Sequence, residues 1–61
     1  MKIDYKIINK FGKFLVVYRD GSGHYEVWKE RGPKSHEFVS VFYSESEALD
    51  HARYEFNRQE I

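Results

Sequence analysis

The stretch from Phe38 to Phe56 constrains this chain most. Phe38-Val39-Ser40-Val41-Phe42-Tyr43 is β-branched and aromatic, which predicts a strand. Directly after it, Ser44 and Glu47 have the spacing of a capping box, in which each side chain bonds the other residue's backbone N–H. Glu45 and Glu47 also put negative charge on the positive end of the helix dipole. Good helix formers follow with no Pro or Gly. At ~100° per residue, Ala48, Leu49, Ala52 and Phe56 fall on one side of that helix. Glu47, Asp50, His51, Tyr54 and Arg58 fall on the other. The two alanines let the helix lie close against a sheet, so a strand that turns straight into this helix must be covered by it.

Upstream, Ile3-Asp4-Tyr5-Lys6-Ile7 alternates apolar and polar and predicts a strand that Ile8 extends. Asn9 to Lys13 contains a turn, with Gly12 free to take positive φ. Phe14 to Tyr18 is a strand apolar on both faces, and Asp20-Gly21-Ser22-Gly23 is a tight hairpin connection. His24 to Glu30 alternates, with Tyr25 and Val27 on one face and Glu26 and Trp28 on the other. Arg31 to His36 reads as a polar loop with room to move, and Pro33 marks a place where no ladder continues. The predicted fold is therefore α+β, a single domain over residues 1–61: a three- to four-stranded antiparallel β-meander with one C-terminal α-helix packed on one face.

Sixty-one residues make a thin core, since a chain this short buries only ~60% of its unfolded surface. There is no cysteine and hence no disulfide or cysteine-rich zinc site. Nothing at the N-terminus resembles a signal peptide, and no apolar run approaches the ~18 residues of a membrane span. A cytoplasmic protein with no membrane partner is the expectation. Aromatic residues make up 18% of the chain, more rings than one helix can cover. Phe42, two residues before the cap, points under the helix. Simple alternation then sends Phe38 and Ser40 to the same face, and Val39, Val41 and Tyr43 to the opposite one. In the second strand Leu15 and Val17 oppose Phe14, Val16 and Tyr18, and either set can face inward. In both cases an apolar, aromatic face is left over. It is a binding surface, or it is shielded by long Lys and Arg stems.

No catalytic constellation emerges. His24 lies at a turn, His36 in the loop and His51 on the outer helix face, where Glu47 and His51 form an (i, i+4) pair. No serine has a visible base, and Gly21-Ser22-Gly23 leads into a strand rather than a helix, unlike a phosphate loop. No metal, cofactor or enzymatic activity is expected. Charge is uneven: residues 1–34 hold eight Lys/Arg and four Asp/Glu, a net of +4, while residues 35–61 hold two and six, a net of −4. The basic half is interleaved with rings, as a sheet that enters a DNA groove would be.

Gly12-Lys13-Phe14 leading a strand, Asp20-Gly21 at a hairpin, and Phe42-Tyr43-Ser44-Glu45-Ser46-Glu47-Ala48 opening a helix resemble the three-stranded-sheet-plus-helix DNA-binding domains. Those domains occur at the N-terminus of tyrosine recombinases that bind arm-type sites, and as plant ethylene-response-factor domains. The resemblance implies a sheet that enters the major groove. The same strand–helix junction, with the small size and aromatic content, is also similar to small bacteriophage proteins that bind and inhibit host enzymes, such as the short transcription inhibitors of coliphages. That resemblance implies a rigid surface without an active site.

Net neutrality and the leftover apolar face favour the second. The expectation is a small non-enzymatic interaction module, a phage- or mobile-element-type regulator or inhibitor. It binds a protein partner, or a second copy of itself, through an exposed aromatic and basic sheet face flanked by Arg31 to His36. Tyr18, Arg19, Trp28, Lys29, Arg31 and Tyr43 are the candidate partner-binding residues. DNA binding by the basic sheet, with Arg19 and Lys29 on phosphates, is the alternative.

Overall fold

A computed structural model describes residues 4–59. Four strands, β1 (Tyr5–Phe11), β2 (Phe14–Arg19), β3 (His24–Gly32) and β4 (Ser35–Phe42), form one antiparallel sheet in chain order, followed by helix α1 (Glu45–Gln59). The expected α+β meander with one C-terminal helix is thus the observed fold. Ile3, the start of the first predicted strand, lies outside the described residues. Several boundaries differ from expectation. β1 runs on through Phe11, which confines the turn to Gly12-Lys13. The segment Arg31 to His36 is not an open loop: Gly32 pairs with Ser35 around a two-residue turn at Pro33-Lys34. The ladder does stop at Pro33, which has no N–H to donate.

The helix closes one face. Ala48 and Ala52 are fully buried and meet Phe14, Val16 and Val27, with Ile8, Phe11, Tyr25, Val39, Phe42, Leu49 and Phe56 packed around them. This is the expected apolar side of α1. Because both alanines contribute no exposed surface, the helix backbone sits as close to the sheet as side chains permit. Ala52→Leu would add three carbons where there is no space. We expect a cost of about 1–3 kcal/mol and a melting temperature lower by roughly 5–15 °C, read by thermal circular dichroism.

The helix start is simpler than the predicted capping box. The Ser44 carbonyl accepts the Ala48 N–H at 3.1 Å, so Ser44 is the N-cap. Its hydroxyl lies 3.0 Å from Ser46 Oγ rather than on the Glu47 N–H. The expected Glu47–His51 pair is also replaced. His51 sits 3.4 Å from Glu55, one turn further on, and its ring is 5.1 Å from that of Phe42. His51 therefore leans over the core edge instead of standing on the outer face.

Two β-bulges decide which side chains face the helix. In β1, Ile7 pairs with Val17 but Asn9 pairs with Val16, so Ile8 is an extra residue. In β4, Ser40 pairs with Val27 but Phe38 pairs with Trp28, so Val39 is extra. A bulged residue breaks the period-two alternation. Val39 consequently joins the core and Phe38 turns to the far side, the reverse of the assignment that alternation gave them. Ser40, Val41 and Phe42 keep their predicted faces.

Candidate functional site

The face opposite the helix has no element over it among the described residues. Directly opposed residues in a ladder share a face, so the register assigns Tyr5 with Arg19, Ile7 with Val17, Leu15 with Trp28, Glu26 with Val41, and Trp28 with Phe38 to this open side. Leu15 and Val17 are buried even so, at 8% and 5% exposure. Their cover comes from the sheet's own side chains. Tyr5 and Ile7 on β1 form one wall, half exposed. Phe38 and Val41 on β4 form the other, and Phe38 meets Trp28 edge-on at 5.4 Å between centroids. A shallow cavity of about 250 Å³ lies over Leu15 and Val17, with Tyr5 and Ile7 on one side, Trp28 and His36 on the other and Arg19 beside it; Phe38 and Val41 do not line it.

A charged cluster closes one end of this trough. The Glu26 carboxylate accepts hydrogen bonds from Arg19 Nε and Trp28 Nε1, each at 2.9 Å to Oε1. His24 Nε2 is 2.7 Å from Oε2, and a carboxylate can only accept, so Nε2 carries the proton. Ser22 Oγ lies 2.7 Å from His24 Nδ1, and Arg19 reaches Asp4 at 3.6 Å. Partial burial alone would raise the Glu26 pKa. The hydrogen bonds from His24, Trp28 and Arg19, with the Arg19 charge, outweigh it and hold the carboxyl below its ordinary value of 4.5. Burying an acid on an apolar face is tolerable only with such partners.

Ser22, His24 and Glu26 have the order of a hydrolytic triad, spaced every second residue. Ser22, however, sits on an exposed hairpin turn, and the trough is bordered by neither Ser22 nor His24. Glu26 is also held by two further donors. The cluster reads as the polar anchor of a sheet face. No group of three metal-ligating side chains occurs among the described residues.

The six candidate residues do not converge. Arg19 and Trp28 stand together on the open face, joined through Glu26. Tyr43, 81% exposed, lies just beyond β4 with its ring 6.4 Å from that of His24. Tyr18 and Lys29 point to the helix side: the Tyr18 ring meets that of Tyr25 at 5.0 Å, tilted by 47°, and Lys29 lies over the Phe14 ring at 5.7 Å. Arg31 is paired with Glu37 at 3.1 Å beside the Pro33-Lys34 turn. Nor is the open face a basic one. Arg19 is tied to Glu26 and Asp4, and Lys10 to Glu30 at 3.8 Å. The residues that matter most to this face beyond Trp28 are Tyr5, Ile7, Phe38 and Val41. Tyr5 and Ile7 were signalled by alternation in the first strand. Phe38 was hidden by the bulge at Val39.

Both edges of the sheet are poor templates for another strand. β1 and β4 are the outer strands, and each carries a bulge, which disrupts the row of free backbone groups that an added strand would need. The face, not an edge, is the available surface. No helix among the described residues is long and apolar enough to cross a membrane. No protein-family model, curated protein or solved structure matches the chain.

Proposed function

We propose that this protein is a non-enzymatic interaction module that binds a protein partner through the open face of its sheet. The observation that carries this reading is the half-exposed wall of Tyr5, Ile7, Phe38 and Val41 around a floor of Leu15, Val17 and Trp28. Contiguous apolar surface of this kind, rimmed by polar groups, is what protein interfaces use. Within it Trp28 and Tyr5 are the residue types that dominate binding energy. The DNA alternative needs cations aimed outward from one surface. Arg19 is occupied by two acids and Lys29 lies on the other side of the sheet, so the observations favour a protein. A regulator or inhibitor acting by occlusion fits such a surface.

The test is a photo-cross-linking amino acid placed at Phe38 and, separately, at Tyr54 on the outer helix face, in the cell that makes the protein. Tyr54 is 59% and Phe38 48% exposed, so both sites tolerate the change. Protein adducts from position 38 and none from position 54 are expected. Adducts from position 54 alone, or nucleic acid at position 38, would refute the reading.

A further inference from the structure

We infer that the end of the sheet carrying the turns Gly12-Lys13 and Pro33-Lys34 docks an acidic segment of the protein partner. This rests on the partner being a protein, and it names the chemistry by which that partner is recognised. The observation is how the fold sorts charge. An antiparallel sheet in chain order brings the β1–β2 and β3–β4 turns to one end. Helix α1 runs back to that end, where Phe56 lies against Gly12. Among the described residues this end holds seven Lys/Arg and three Asp/Glu, a net of +4. The opposite end, at the Asp20–Gly23 hairpin and the start of α1, holds six acids, Asp20, Glu45 and Glu47 among them, against Lys6 and Arg19, a net of −4. A chain of zero net charge is thus strongly polar from end to end.

Three of the seven cations are answered within the chain, Lys10 by Glu30, Arg31 by Glu37 and Arg58 by Glu55. Lys29 and Arg53 lie over the rings of Phe14 and Phe11, each at 5.7 Å. Lys13 and Lys34 are exposed turn residues. These last four have no acid within ion-pair distance among the described residues. The β1–β2 turn is pinned to β3, because the Glu30 N–H donates to the Lys13 carbonyl at 2.7 Å. Between the two turns lies a notch of about 240 Å³, lined by Lys13, Glu30, Arg31, Gly32 and Pro33. Proline fixes its own φ, so the pinned turn and Pro33 leave little backbone to order on binding.

An acidic protein segment fits this end better than a phosphate backbone does. Glu30 stands in the notch, and Glu37 is paired with Arg31 of its lining. Carboxylates on a polypeptide can be spaced to avoid those two acids, whereas phosphates recur at every nucleotide. The C-terminus of α1 also turns the negative end of its dipole this way. Charge at the margin of an interface steers and orients a partner, over about 10 Å at 0.1 M salt, more than it adds affinity. The basic end therefore orients the partner, and the apolar open face beside it supplies the larger contact.

The probe is a hexaglutamate peptide, titrated into the whole chain at about 10 mM and about 150 mM salt, with backbone amide NMR shifts as the readout. Shifts at Gly12, Lys13, Gly32 and Lys34 are expected at the lower salt, with binding at least about tenfold weaker at the higher. Lys13→Glu and Lys34→Glu should each weaken binding by at least about threefold. Lys6→Glu makes the same change of net charge at the other end and should alter binding by less than about twofold. The amide spectrum of each variant reports its folding, and the wild-type map stands whether or not one variant unfolds. No shifts at the lower salt, or an equal loss with folded Lys6→Glu, overturns the inference. Shifts that map to Tyr5 and Trp28 instead of the turns overturn it too. A short mixed-sequence DNA duplex that binds the turns more tightly than the peptide replaces it with a nucleic-acid surface. Cross-linking at Phe38 reports separately on the open face, so either reading can fail without the other.

Discussion

Gly12→Ala is expected to destabilise the domain by about 2–5 kcal/mol, the largest effect of any single added methyl. Gly12 has a φ of 59°, in the left-handed region that costs a residue with a Cβ about 1–2 kcal/mol. A Cβ there would also lie 2.6 Å from both Cδ1 and Cε1 of Phe56. Those are atoms of a ring packed against the core, so the ring must shift and the last apolar contact of α1 shifts with it. The whole domain, at 61 residues, has on the order of 3–9 kcal/mol to lose. Gly23 separates the two effects. Its φ is 68°, but nothing lies within 4 Å of an added Cβ. Gly23→Ala should therefore cost only the backbone share, and Gly21→Ala, with open space and no positive φ, almost nothing. Urea unfolding of the three variants checks the order; equal losses at Gly12 and Gly23 would mean that Phe56 does not press on the β1–β2 turn.

Removing the Glu26 carboxylate is the second large effect. Glu26→Ala removes a carboxylate that is only 12% exposed and leaves Arg19, Trp28 and His24 without their shared acceptor, at a cost of about 2–4 kcal/mol. Glu26→Gln keeps the shape and one acceptor oxygen and should cost less. The pH dependence follows from the lowered folded pKa. A carboxyl whose folded value lies below its unfolded value binds its proton more readily when unfolded. Its contribution is therefore complete above the ordinary value of 4.5 and is lost as pH falls through the folded value. The stability gap between wild type and Glu26→Gln should close as pH falls below the ordinary value of 4.5. A gap that instead widened below that value would mean that Glu26 takes up its proton more readily in the folded state.

Much of the architecture was legible because local signals agree with one another. The Asp20–Gly23 connection, the alternation of Tyr25 and Val27 against Glu26 and Trp28, and the Ala48/Ala52 stripe each reappear where the residues placed them. What alternation missed were the bulges. Neither Ile7-Ile8 nor Val39-Ser40 contains a glycine or other local mark of an extra residue. A bulge is set by how two strands meet, and one such residue moves Phe38 from core to open face. The same limit hid the short turn at Pro33-Lys34, since its closure depends on Gly32 pairing with Ser35.

The candidate site was legible in kind and less so in its members. An apolar face beyond the reach of one helix follows from the number of rings. The cluster around Glu26 also left a trace: an acid in mid-strand, flanked at every second position by His24 and Trp28, must be neutralised from the neighbouring strand, and Arg19 stands opposite His24 in the register. The interleaving of basic and aromatic residues sets Tyr18 beside Arg19 and Lys29 beside Trp28 in the sequence. In a strand, adjacency is what separates side chains onto opposite faces.

The most direct measurement is the relaxation of side-chain methyls by a soluble paramagnetic agent in dilute solution. The expected result is strong relaxation of the Ile7 methyls, which stand on the open face, with Val16 and Val27 silent, since each is fully buried under the helix. Relaxation of Val16 and Val27 as strong as that of Ile7 would place the helix on the wrong face of the sheet. Ile7 methyls as silent as those of Val16 would contradict an open face on that side.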